Sequence, residues 1–301
     1  MPSRRHFLQS GAALLATTLA APALAARSVP APPGQADRIA AAADFTTLEQ
    51  ASGGRLGVTL LDTATGQRRG HRQDERFPMC STFKTVLTAT VLGLADAGRI
   101  ALDTRVAIRA QDLLPHAPVT SRHAGKTMTV RDLCRATMVT SDNPAANLLL
   151  GAVGGPTAVT AFLRQHGDAV TRNDRTEPSM NSFAPGDPRD TTSPAAMAAT
   201  LQRFVLGQAL SPGARQQLAD WLIDNETGDA TLRAGLGKRW RVGDKTGSNG
   251  TDTRNDIAVL WPHAGGAAWI LTAYLQGATV DSAARDAVLA RVGALADALI
   301  R

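Results

Sequence analysis

The chain has 301 residues, 44% hydrophobic and 19% charged, enough apolar content to bury a core and too much for a disordered chain. Two cysteines exclude a disulfide-stapled scaffold and a four-cysteine zinc site. The formal charge of +6 falls to +4 without residues 1–26, and with no long basic run and few aromatics it excludes nucleic acid as a partner.

Residues 1–26 read as a cleaved export signal. Arg4 and Arg5 form a basic head, a mild apolar stretch runs from Gly11 to Ala20, and small residues precede Ala26. The S-R-R-x-F-L pattern resembles a twin-arginine signal; a Sec signal is the alternative. Either route predicts a periplasmic protein. The apolar run is too short for a permanent membrane anchor. Residues 27–36 read as a linker. Helical spacing follows from Asp37 to Gln50, stopped by Gly53-Gly54. A strand is predicted over Arg55–Asp62, a turn over Thr63–Gly66 and a returning strand over Gln67–Arg72.

The stretch from about Ser81 to Asp220 carries helical patterning, clearest at Ser81–Ala97, Val130–Thr140, Pro144–Gly151, Pro156–Gln165 and Ser193–Leu206. Strands return at Trp240–Thr246, Ile257–Pro262 and Ala267–Leu275, before a final helix over Asp281–Ile300. This order predicts an α/β fold of the α+β type. An antiparallel sheet with packed helices forms from both chain ends, residues 37–72 and 224–301, and an all-helical domain, residues 73–223, is inserted between them.

Three short motifs carry chemistry. In Ser81-Thr82-Phe83-Lys84 the spacing puts a hydroxyl and an amine on one helix face, where a neutral lysine can take the serine proton. Alone, the same residues describe a helix cap with a solvated lysine. Ser141-Asp142-Asn143 precedes Pro144 and equally reads as an N-cap cluster. Lys245-Thr246-Gly247-Ser248 ends a strand, where a cation and two hydroxyls suit a carboxylate; it also reads as a strand entering a turn. An S-x-x-K, an S-D-N and a K-T-G in that order form the signature of penicillin-interacting serine enzymes. Composition alone rarely produces all three.

A fourth segment joins them. Arg175-Thr176-Glu177-Pro178-Ser179-Met180-Asn181 is followed by Pro185 to Thr192. With this segment the chain resembles the class A serine β-lactamases over nearly its whole mature length. The resemblance implies β-lactam hydrolysis, resistance to these antibiotics, and an Ω-type loop over 172–190 at the mouth of the site. It casts Ser81 as nucleophile, Lys84 and Glu177 as bases and Ser141 as proton relay. Glu177 would activate the deacylating water and Asn181 would help hold it. Lys245, Thr246 and Ser248 would take the substrate carboxylate, with backbone N–H groups of Ser81 and Ser248 as oxyanion hole. Asn143 would bind the substrate's side-chain amide. Asn147 would brace the Glu177 region, and an Arg175–Asp190 salt bridge would close the loop. Arg254 fits a second carboxylate-binding cation or a solvated strand-end residue. His116 fits a wall of the pocket or an exposed loop residue. Asp244 is assigned to strand structure or to the charge balance of Lys245.

Two departures bear on the pocket. The cysteine partners usual in this family are absent, Asn249 and Thr88 standing in their places, so Cys80 and Cys134 are expected as free, buried thiols. Asn249 also replaces a small residue, which is expected to narrow or reshape the pocket. The expected partner is a small β-lactam substrate and the expected state a monomer, with no cofactor and no metal. The alternatives are a D-Ala-D-Ala peptidase, which would lack the Glu177 loop, and a lactam-sensing binding domain, which would lack an efficient deacylating base.

Overall fold

The structure is a computed structural model and describes residues 35–300. The proposed export signal and residues 27–34 of the proposed linker lie outside the described residues. The first helix, α1 (Gln35–Ser52), starts two residues before its predicted position. It leads into the hairpin β1 (Arg55–Asp62) and β2 (Arg68–His71). At the hairpin turn the Asp62 carboxylate accepts from the Ala64 N–H at 2.9 Å and the Thr65 hydroxyl at 2.8 Å. Gly66 supplies the left-handed conformation there, φ +73°.

Between this hairpin and the remaining sheet strands lie two short strand pairs and most of the helices. Strand β3 (Phe77–Pro78) pairs with β6 (Thr191–Thr192), and β4 (Arg105–Ala107) pairs with β5 (Thr127–Thr129). Two or three residues cannot display an alternating pattern, so the sequence did not reveal these pairs. Helix α2 (Phe83–Asp96) is buried at every position from Phe83 to Leu92. A helix buried all round belongs at the centre of its domain, as α2 does here. Around it stand α3 (Val130–Val139), α4 (Asn143–Val153), α5 (Pro156–Gln165) and α7 (Pro212–Ile223), while α6 (Pro194–Leu201) packs on β1 and β9 of the sheet. Capping side chains start several of them: Thr129, Asp142, Ser193 and Ser211 each accept a first-turn N–H, and α4 to α7 carry proline at the first turn. The single helix expected over Ser193–Leu206 is α6 followed by a wider π-helical turn, Gln202–Leu206. The four-residue α8 (Leu232–Gly235) is too short to read by periodicity.

The chain then completes the sheet with β7 (Trp240–Ser248), β8 (Arg254–Pro262) and β9 (Trp269–Gln276), and ends in α9 (Ser282–Leu299). The five long strands run antiparallel in the order β2-β1-β9-β8-β7, so the two chain ends pair directly. The α+β expectation therefore holds, as an antiparallel sheet from both ends with helices between. Alternate residues face opposite layers. Leu56, Val58, Leu60, Leu260 and Leu271 pack with Phe45 of α1 and Leu289 and Val292 of α9. Leu61, Ile257, Val259, Ile270 and Tyr274 face the other way, into the core shared with the helices. Both faces are covered, which is why residues 257–262 of β8 and most of β9 read as nearly unbroken apolar runs. Fully burying one such side chain contributes about 1.5–3 kcal/mol.

One polar cluster ties α1 to this sheet. The Glu49 carboxylate accepts from Arg72 at 2.6 and 2.8 Å, from the Leu56 N–H at 2.9 Å, and lies 3.2 Å from the His71 ring. Its hydrogen bonds to Arg72, with smaller help from Leu56 and His71, hold its carboxyl down to about 2 from 4.5. Glu49→Gln is expected to lower stability by about 1–2 kcal/mol near neutral pH. The lowered value makes this contribution complete above the unfolded-state value near 4.5 and lost as pH falls toward 2. Denaturant unfolding of parent and variant should therefore converge in acid; a gap undiminished at low pH would contradict it.

Candidate active site

The site lies where the end of β7 meets the turn before α2. Ser81 sits in a 3-10 turn, Cys80–Thr82, not in the helix itself, and Lys84 in the first turn of α2. Several groups hold this turn. The Asn255 side chain of β8 donates to the Pro78 and Met79 carbonyls at 2.8 and 3.0 Å, and the Met79 N–H donates to the Asp190 carbonyl at 2.9 Å. Cys80 adopts φ +44°, a left-handed backbone that this clamping sustains. Gly247 explains its own position: a Cβ there would stand 2.8 Å from the Met79 carbonyl oxygen and 3.2 Å from the Ser81 nitrogen. Only glycine lets β7 approach the nucleophile's turn this closely.

The fully buried Lys84 amine joins the other elements. Its Nζ lies 3.0 Å from Ser81 Oγ, 3.2 Å from Ser141 Oγ, 2.8 Å from the Ser141 carbonyl and 2.6 Å from Asn143 Oδ1. Glu177 Oε1 is 3.3 Å away, both side chains being buried. Burial pushes the Lys84 ammonium down, and the Glu177 charge opposes this. On the other side of Ser141, Lys245 Nζ lies 3.1 Å from the same Oγ and 3.0 Å from the Thr246 carbonyl. Burial, then the like charge of Lys84, brings the Lys245 ammonium down to about 7. Two amines around one hydroxyl resist being charged together, so protonating one favours the neutral form of the other.

The S-D-N residues divide their work. Ser141 takes φ +60° and presents its hydroxyl between the two lysines. Asp142 is the N-cap of α4: its carboxylate accepts from the Ala145, Val119 and Thr120 N–H groups at 2.9–3.0 Å and from the Thr120 hydroxyl at 2.8 Å. The capping reading is thus correct for Asp142. Asn143 Nδ2 donates to the Pro115 carbonyl at 3.0 Å, and the Asn143 N–H to the His116 carbonyl at 3.0 Å, which places His116 beside the site. The exposed His116 ring contacts the Thr140 carbonyl at 2.9 Å.

Residues 172–190 form an irregular loop with one short 3-10 turn, Ser179–Asn181. Its base is a buried carboxylate. Asp190 accepts from Arg175 Nε at 2.6 Å, Asn173 Nδ2 at 2.9 Å and the N–H groups of Asp174 and Arg175 at 2.7 and 3.0 Å. Asn147 grips the Glu177 backbone from α4, accepting its N–H and donating to its carbonyl, both at 2.9 Å. Asn181 Nδ2 donates to Glu177 Oε2 at 2.6 Å. Asn181 Oδ1 is a buried acceptor without a protein hydrogen-bond donor among the described residues, and Glu177 Oε1 has the Lys84 amine, 3.3 Å away, as its ion-pair partner.

Two further residues have partners that the sequence did not show. Arg254 is half-buried and paired with Asp286 of α9, Nε to Oδ1 2.5 Å, rather than a free cation. It still lies near enough to Lys245 to lower that ammonium. Asn249 turns its side chain into the β7–β8 connection, where Oδ1 accepts from the Thr251, Asp252 and Thr253 N–H groups at 3.0–3.1 Å. Its amide organises the turn. Behind it a cleft of about 830 Å³ separates this turn from the far limb of the loop, and Ser81, Lys84, Ser141 and Glu177 do not line it. Cys80 and Cys134 are free and buried, and burial pushes both thiols up, toward inertness.

Sequence reading missed Asn255 and the partners of Asp244. Asp244, wholly buried beside Lys245, accepts from Arg233 Nε and from Asn225 Nδ2, the latter at 2.6 Å. The available signal was a charged residue at an inward strand position, which demands partners without naming them.

Comparison with known proteins places this geometry among relatives. The model of the β-lactamase enzyme family matches residues 40–299. β-Lactamase L2 of Stenotrophomonas maltophilia is 67% identical over the full length of both chains. β-Lactamase CTX-M-8 of Citrobacter amalonaticus is 48% identical over 82% of this chain and 84% of its own. A crystal structure of L2 complexed with relebactam aligns with a TM-score of 0.85 at 72% identity, covering 88% of this chain and 98% of that one. A β-lactamase from Xanthomonas campestris aligns at 0.86 and 57% identity, with the same coverage.

Proposed function

The chain belongs to the β-lactamase enzyme family and hydrolyses β-lactams, and we propose that it opens penicillins and cephalosporins through an acyl-enzyme on Ser81. The observation that carries this reading is the Lys84 amine, within hydrogen-bonding distance of both serine hydroxyls and 3.3 Å from Glu177. Neutral Lys84 takes the Ser81 proton as Oγ attacks the lactam carbonyl. The C–N bond breaks, and the proton reaches the departing ring nitrogen through Ser141. The substrate carboxylate, facing Lys245, Thr246 and Ser248, favours the charged form of Lys245. That charge in turn favours neutral Lys84, the form needed as base.

Deacylation uses the other side of the cluster. A water between Glu177 Oε1 and Asn181 Oδ1 would satisfy the buried Asn181 acceptor, which lacks a protein donor, while donating to the carboxylate. Glu177 takes one of its protons, the new C–O bond forms, and the ester bond to Ser81 breaks as Oγ regains a proton. The Asn147 and Asp190 contacts support the loop in this role by fixing the carboxylate's backbone. Asn143 is assigned to the substrate's side-chain amide, and His116 to the wall beside it. Arg4, Arg5 and the small residues before Ala26 support export to the periplasm. Ser81→Ala is expected to abolish both steps, with no adduct by intact mass and no loss of lactam absorbance. An adduct forming on that variant would overturn the assignment.

A further inference from the structure

Thr227, which none of the motifs contains, lies against the substrate-facing hydroxyl of Thr246, with 2.5 Å between the two Oγ1 atoms. Its own Oγ1 also lies 2.8 Å from Asn225 Oδ1. The orientation of the Asn225 amide is fixed, because its Nδ2 donates to the buried Asp244 carboxylate at 2.6 Å. Asn225 Oδ1 can therefore only accept. Asp244 is itself held by Arg233, so the far end of this chain cannot turn round.

The hydrogen count then sets two states. A threonine hydroxyl has one hydrogen. When Thr227 donates to Asn225, the short contact requires Thr246 to donate to Thr227, and Thr246 has no hydrogen left for a ligand. When Thr227 donates to Thr246 instead, the Thr246 hydrogen is free to point at a substrate carboxylate. Asn225 Oδ1 loses little in that exchange, because the Thr227 N–H also donates to it at 3.2 Å. The buried, anchored end of the network thus leaves a single adjustable element, the Thr227 hydroxyl.

We propose that Thr227 is a positioning residue for the substrate carboxylate, turning its hydroxyl from Asn225 to Thr246 so that Thr246 can donate to the anion. This rests on the reading of Lys245, Thr246 and Ser248 as the carboxylate receptor. The role is separable from the acyl-transfer chemistry, because Thr227 touches neither Ser81 nor Glu177 among its hydrogen bonds.

The test compares parent, Thr227→Val and Thr227→Ser on a cephalosporin free acid and on its neutral methyl ester. Valine keeps the volume and removes the hydroxyl; serine keeps the hydroxyl. The expected result is a KM for the free acid lowered about fivefold in Thr227→Val, because without the Thr227 oxygen to accept from it Thr246 always has its hydrogen for the anion. The kcat should change much less, the ester kinetics should not change, and Thr227→Ser should restore the parental KM. An unchanged or raised free-acid KM in Thr227→Val would overturn the proposal while leaving the hydrolase reading intact. Equal losses on acid and ester would show a merely structural role and also overturn it. A parent with the same KM for the acid and the ester would sink the receptor reading itself, and this inference with it, while leaving the hydrolysis intact.

Discussion

Glu177→Ala is expected to convert the protein into one that acylates but scarcely deacylates, with adduct hydrolysis slowed about 10²–10⁴-fold. The asymmetry follows from the two bases. Lys84 stands 3.0 Å from Ser81 Oγ and reaches the nucleophile without Glu177. The Glu177 charge holds the Lys84 ammonium up against its burial; removing that charge pushes the amine further toward its neutral, basic form. The acylation base therefore survives the substitution. The deacylating water loses both a proton acceptor and the partner of Asn181, which donates to Glu177 at 2.6 Å. Intact mass after mixing with benzylpenicillin should show a full, lasting adduct. Parental turnover in this variant would remove Glu177 from the mechanism.

Lys84→Ala is expected to fail one step earlier, with acylation slowed by about 10²–10⁴ and no accumulating adduct. The amine that would take the Ser81 proton also spaces Ser81, Ser141, Asn143 and Glu177, contacting all four. Without it the buried Glu177 carboxylate loses its opposite charge, so about 3 kcal/mol of stability is expected to go with activity. Acylation must therefore be timed on protein whose cooperative thermal unfolding has been checked. A folded Lys84→Ala that acylates at the parental rate would assign the proton transfer elsewhere.

The contrast between these two variants reflects how the sequence encodes the site. Ser81 and Lys84 could be paired from their spacing alone, since three residues at a helix entrance share a face. That Ser141, Lys245 and Glu177 join them depends on three long-range approaches. β7 comes close because Gly247 has no side chain, α4 starts where Asp142 caps it, and the loop is tied at Asp190. The motifs, taken jointly and with their resemblance, pointed to this convergence; no single one did. The sheet strands and capped helices were legible for a similar reason, as periodicity and caps are local. Contacts between a side chain and a distant backbone left no local trace. Asn255 reaches the Pro78 carbonyl from 177 residues away, and Arg254 finds Asp286 32 residues on. Asn249 was legible as a change beside the pocket, but not the three backbone N–H groups that draw its Oδ1 into the turn.

The central claim is a Ser81 acyl-enzyme emptied by Glu177. Its most direct test is one incubation of the protein with benzylpenicillin, with lactam absorbance and intact protein mass followed together. The account predicts many lactams consumed per protein molecule with at most a transient adduct. One equivalent consumed and a lasting adduct on the parental protein would contradict it.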